Sequence, residues 1–208
     1  MLINDLDALE NAPLATERNL RRTLAGIAKK IDLDEDIVFL FLTSHGSEDH
    51  QFAIELNDLA LRQITPDLLA EAIHTAGIRW RVTAISACYS GGYIDALSAS
   101  TALVMTAARK DRTSFGCGAE SKITYFGRAY FAEALNQTSD FIAAFEIAKS
   151  NIAEREAAIN ETPSEPQIAS SALIRAKLAD WRDQLKLGPP IAFEPEAMTT
   201  STAKAAAH

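Results

Sequence analysis

The chain has 208 residues, 48% hydrophobic and 23% charged, a balance typical of a globular domain with enough mass for one sizeable core. A formal charge of −8, with no clustered Lys/Arg patch, argues against a nucleic-acid surface. No run approaches the roughly 18 apolar residues that span a bilayer, and Met1-Leu2-Ile3-Asn4-Asp5 lacks the basic and apolar regions of a signal peptide, so the expectation is a cytoplasmic protein without a membrane segment.

Residues 1–4 read as the end of a strand, and Asn11 to Thr16 as a turn around Pro13. Thr16 has the character of an N-cap, with Glu17 in the first turn. Leu20, Leu24, Ile27, Ala28 and Ile31 then recur at helical spacing, and the Arg and Lys residues between them form a solvated face. Asp32 to Asp36 breaks that helix. Ile37-Val38-Phe39-Leu40-Phe41-Leu42 is uninterrupted and apolar, which predicts a parallel strand covered on both faces. It ends at Thr43-Ser44-His45-Gly46.

Gln51 to Leu56 alternates and predicts a hairpin strand turning at Asn57-Asp58. Thr65-Pro66-Asp67 starts a helix that Gly77 stops. Val82 to Ile85 predicts the next buried strand, ending at Cys88, and Thr101 to Ala107 another. Helices are expected at about 127–136, 140–160 and 170–186. Alternating strands and helices imply an α/β three-layer sandwich with a mainly parallel sheet. One domain is expected over 1–186, and the Gly-Pro-Pro and Thr/Ser/Ala-rich segment 187–208 reads as a flexible tail.

Val82 to Gly92 is where chemistry enters. An apolar strand that stops at a thiol, followed by Gly91-Gly92 and a helix N-terminus, is a common way to present a nucleophile. In parallel sheets ligands bind beyond the carboxyl ends of the strands, and His45 and Cys88 both follow directly on such strands. A histidine there can take the thiol proton and later protonate the leaving group. Gly46, lacking Cβ, lets its N–H approach a developing oxyanion together with the N–H of Cys88. Taken singly, such a cysteine is most often a small buried apolar residue and such a histidine more often a strand-end cap; the pair, each beside glycine, favours catalysis. Two cysteines make no disulfide framework and lack metal-binding spacing, so Cys88 and Cys117 are expected to be free, Cys117 in the core or wall. His50 and His74 read as surface residues and His208 as part of the tail. No Asp/Glu/His cluster has metal-site spacing, and no cofactor is expected.

Thr43-Ser44-His45-Gly46 and Ile85-Ser86-Ala87-Cys88-Tyr89-Ser90-Gly91 resemble the His-Gly and Ala-Cys motifs of the legumain-type cysteine peptidases, which share the caspase-like fold. Thr106-Ala107-Ala108, Thr113-Ser114-Phe115-Gly116-Cys117 and Thr124-Tyr125-Phe126-Gly127 are similar to blocks that follow the catalytic cysteine in that family. The likeness covers about residues 37–175 and is greatest to bacterial members. The resemblance implies a cysteine endopeptidase acting on peptides or proteins, without metal or cofactor, with His45 as base, Cys88 as nucleophile, and the N–H groups of Gly46 and Cys88 as oxyanion hole. It also implies a specificity pocket lined by Ser86, Thr113, Ser114, Phe115 and Arg128.

Ser86 and Arg128 stand where asparaginyl peptidases of the family carry Glu and Asp, acids that help hold the asparagine amide, and Ser44 replaces an acidic residue before the histidine. A different cleavage-site preference is therefore expected. The family's first core strand has no counterpart before Met1, so the sheet is expected to lack it. Two rival readings remain open: transpeptidation, with an amine capturing the same acyl-enzyme, and a non-catalytic binding module of the same fold.

Overall fold

Local capping chemistry sets the first elements. The structure, a computed structural model, describes residues 1–3, 10, 12–55, 61–116 and 123–185; the predicted turn at Asn57-Asp58, Cys117 and the predicted tail lie outside them. Thr16 accepts a hydrogen bond from the Asn19 N–H and opens α1 (Glu17–Ala28). Thr65 accepts from the Leu68 N–H, Pro66 occupies the first turn, and α2 (Pro66–Ala76) stops at Gly77, whose φ of 74° is the left-handed conformation a C-cap glycine supplies.

Four strands form one sheet in the order β1 (Ile37–Thr43), β2 (Trp80–Ser86), β3 (Ala102–Thr106) and β4 (Gln167–Ser170). The first three are parallel, and β4 runs antiparallel to β3. Side-chain alternation divides the core into two layers. Val38, Ile85 and Val104 pack with Leu24 of α1 and with Leu69 and Ile73 of α2, joined by Tyr93 and Leu97 of α3 (Tyr93–Leu97). On the other face Val82, Ala84, Leu103 and Met105 pack against Phe145 and Ile152 of α5 (Phe141–Ala158) and Ile174 of α6 (Ala172–Gln184). Helices on both faces of a mostly parallel sheet are the expected three-layer sandwich.

Three expectations change. β1 is not covered on both faces: among the described residues it has a hydrogen-bonded neighbour on one side only, and Phe39 and Phe41 are 36% and 42% exposed. An apolar run says that a strand can be buried, not that enough elements surround it. The hairpin strand from Gln51 reduces to isolated bridges, Phe52 pairing once with Gly46 and once with Ile64. The helix expected at 127–136 begins as the single turn α4 (Tyr125–Gly127), widens into a π turn over Arg128–Glu133 and tightens into a 3₁₀ turn over Ala134–Asn136. The wide turn suits a five-residue ion pair, Arg128 Nε donating to Glu133 at 2.9 Å.

Glu133 also accepts from Arg155 and from Asn151, tying this turn to α5. Burial would raise its carboxyl pKa, yet hydrogen bonds from Arg155 and Arg128, with their charges, hold it below the usual range. A carboxyl lowered in the folded state adds stability above its unfolded value of about 4.3 and loses it as pH falls through the folded value. Glu133→Gln is therefore expected to cost ~1–3 kcal/mol at neutral pH, with the gap closing below about pH 4. Thermal melts of both proteins across that range check this; parallel stability curves would refute it.

Candidate active site

The parallel register of β1 and β2 aligns Thr43 with Ser86, the last pair of the ladder. The Ser44 N–H extends the pairing by donating to the Ser86 carbonyl at 3.2 Å. His45 and Cys88 each lie two residues beyond that last pair, so the strand register itself carries both to the same place at the carboxyl edge of the sheet.

Gly46 shows how closely the two strand ends meet. A Cβ built on it would sit 2.1 Å from the Cys88 carbonyl oxygen, so glycine is required by the approach of a neighbouring backbone. Around Gly46, the Ser47 N–H donates to Gln51 and the Ala53 N–H to the His45 carbonyl. This pattern leaves the Gly46 N–H unused, and among the described residues neither it nor the Cys88 N–H has a hydrogen-bond partner. Two unpaired backbone donors beside a thiol are the raw material of an oxyanion site.

Cys88 is a free, half-buried thiol. Its sulfur accepts from the Ser114 N–H at 3.3 Å and lies 3.5 Å from the Ser114 carbonyl and 3.9 Å from its hydroxyl. His45 is exposed, and no hydrogen bond joins its ring to the thiol. Tyr89, next in sequence, has a φ of 55°, and its N–H is fixed by the Arg112 carbonyl at 2.7 Å. The helix expected behind the cysteine opens as a 3₁₀ turn over Ser90–Gly92 that runs into the five-residue α3. The Ser114 N–H therefore matters more to a thiolate here than a helix dipole does.

The residues assigned to the pocket by resemblance fall into two groups. Ser86 is fully buried, its hydroxyl 2.8 Å from that of Thr124; Thr124 in turn accepts from the Gly127 N–H and caps α4. Ser114 reaches the thiol, Phe115 packs its ring against Tyr125, and the Tyr125 N–H donates to the Phe115 carbonyl. Thr113 is exposed beside them. Arg128 stands apart: among the described residues its guanidinium engages Glu133, with no hydrogen bond to Cys88, Ser86 or Thr124.

Thr124 and His50 are the residues that sequence pattern alone misses. Thr124 is visible there only as part of the block Thr124-Tyr125-Phe126-Gly127, with no role of its own. His50 is half-buried rather than a surface residue, its Nδ1 3.1 Å from the Tyr89 carbonyl. Among the described residues, no group of three His, Cys, Asp or Glu side chains is placed to hold a metal ion, and no helix is long and apolar enough to cross a membrane.

The sheet and its helices define a caspase-like fold. A crystal structure of caspase-1 from Spodoptera frugiperda superposes with a TM-score of 0.52 at 16% identity, over 76% of this chain and 69% of that one. The structure of pro-sf-caspase-1 gives 0.49 at 15% identity, over 76% and 72%. The sequence profile of the Peptidase C13 family matches residues 17–175, and the chain belongs to that family of legumain-type cysteine peptidases. No curated protein matches the chain in sequence.

Proposed function

We propose that this protein is a cysteine endopeptidase in which Cys88 and His45 hydrolyse a peptide bond through a thioester. The observation that carries the reading is the meeting of two strand ends, where a free thiol sits beside two backbone N–H groups that have no partner among the described residues. His45 takes the Cys88 proton, and the thiolate, supported by the Ser114 N–H, attacks the scissile carbonyl carbon. Charge on the carbonyl oxygen is met by the N–H groups of Gly46 and Cys88. Collapse breaks the C–N bond, His45 protonates the departing amine, and the acyl group stays on sulfur. Water then attacks the thioester with His45 as base, which releases the carboxylic acid and restores the thiol.

Ser86, Thr113, Ser114 and Phe115 form the substrate-side wall in this reading, and Arg128 its outer margin. The Ser86–Thr124 hydroxyl pair makes that part of the floor neutral, so these two residues offer no carboxylate to an amide or cationic side chain. A preference other than asparagine follows.

Iodoacetamide treatment is expected to label Cys88 and to stop cleavage of a peptide library in step with labelling, read by mass spectrometry. Undiminished cleavage after complete alkylation of Cys88 would refute the reading. Adding amine nucleophiles to the same reaction separates hydrolysis from acyl transfer, since only transfer yields ligated product.

A further inference from the structure

Beyond the last ladder bonds of β1 and β2, little covalent or hydrogen-bonded structure fixes one strand end against the other. Glu48 accepts weakly from the Tyr89 hydroxyl at 3.4 Å, and Gly46 packs on the Cys88 carbonyl. Among the described residues the remaining link is His50. Its φ of 62° is in the left-handed region, which a non-glycine residue enters only when its surroundings hold it there. They do: the His50 N–H donates to the Ser47 carbonyl at 2.9 Å, and Ser47, Asp49 and Gln51 hydrogen-bond among themselves across the turn.

The outcome is a ring turned onto the nucleophile loop. Its Nδ1 lies 3.1 Å from the Tyr89 carbonyl, and a carbonyl only accepts, so Nδ1 carries the proton. The ring also packs closely on Gly92: a Cβ built there would be 2.2 Å from His50 Cγ. Tyr89 is the second left-handed residue of the pair, at 55°. Two strained residues thus face each other across the gap between the loop that carries His45-Gly46 and the loop that carries Cys88.

We propose that His50 is a positioning residue that sets His45 and the Gly46 N–H against Cys88 by donating Nδ1–H to Tyr89 and packing on Gly92. It touches neither substrate nor thiol and acts through the placement of both loops. The inference rests on the peptidase reading for its kinetic consequence and on hydrogen-bond geometry alone for its structural one.

The test uses the full chain with His50→Ala, His50→Asn and Gly92→Ala, alone and combined. His50→Ala is expected to lower kcat by about tenfold to a hundredfold with KM nearly unchanged, the scale on which misplaced catalytic groups act. Asparagine tolerates a left-handed φ and presents an amide N–H near the position of Nδ1; His50→Asn is expected to regain most of the loss. Gly92→Ala is expected to slow the wild type strongly yet add little to His50→Ala, because the clash needs the ring. In 15N-labelled protein, NMR is expected to show the His50 proton on Nδ1.

A wild-type kcat in His50→Ala, no gain from asparagine over alanine, additive Gly92→Ala and His50→Ala effects, or an Nδ1 without its proton would each overturn the proposal. The tautomer signal is independent of turnover. Cleavage that survives Cys88 alkylation would therefore remove the peptidase reading while leaving the His50 contact still decided by NMR.

Discussion

Cys88→Ala is expected to abolish peptide cleavage, with a loss of at least about ten-thousand-fold, as when the nucleophile of an acyl-transfer site is removed. The change takes one sulfur from a half-buried site and with it the hydrogen bond from the Ser114 N–H. Stability should fall by no more than ~1–2 kcal/mol. The folded alanine protein therefore isolates chemistry from folding. Rates on a cleaved peptide, with thermal melts of both proteins, give the result. An alanine protein that cleaves at the wild-type rate would end the thioester mechanism. The contrast with a non-catalytic module of the same fold is also direct, because such a module would bind peptide equally well with and without the sulfur.

The second large effect is expected from Gly46→Ala. No side-chain motion relieves a Cβ set 2.1 Å from the Cys88 carbonyl oxygen, since that atom is backbone. The strand end after β1 must move away from the strand end after β2. Overpacking of this kind costs ~1–3 kcal/mol. The larger consequence is for catalysis: the Gly46 N–H leaves the oxyanion position, and loss of one such donor lowers kcat by about a hundredfold to a thousandfold. Comparing kcat, KM and melting temperature separates the two effects. A Gly46→Ala protein that melts lower but keeps wild-type kcat would remove Gly46 from the oxyanion hole.

Much of this architecture was legible in the sequence wherever its cause is local. The helix starts at Thr16 and Thr65 and the stop at Gly77 depend on caps within three residues, and the structure has them all. The placement of His45 and Cys88 at one edge of the sheet was legible because each follows an apolar strand, and parallel pairing does the rest. Edge position was not: Phe39 and Phe41 carry the same apolar pattern in a central or an outer strand. β4 was missed because its four half-buried residues have no strong pattern of their own and exist as a strand only by antiparallel pairing with β3. Thr124 and His50 were hidden for a related reason. Their partners, Ser86 and Tyr89, are 38 and 39 residues away, and a hydroxyl or an imidazole gives no sign of so distant a bond.

The alignment of Thr43 with Ser86 also bears on how this chain tolerates length change. In β1 and β2 a one-residue insertion or deletion would reverse which side chains face α1 and α2, turning Val38 out of the core. The same slip would carry His45 out of step with Cys88. Hydrophobic packing therefore polices the alignment of the two groups, and an indel that spoils catalysis through these strands also spoils folding.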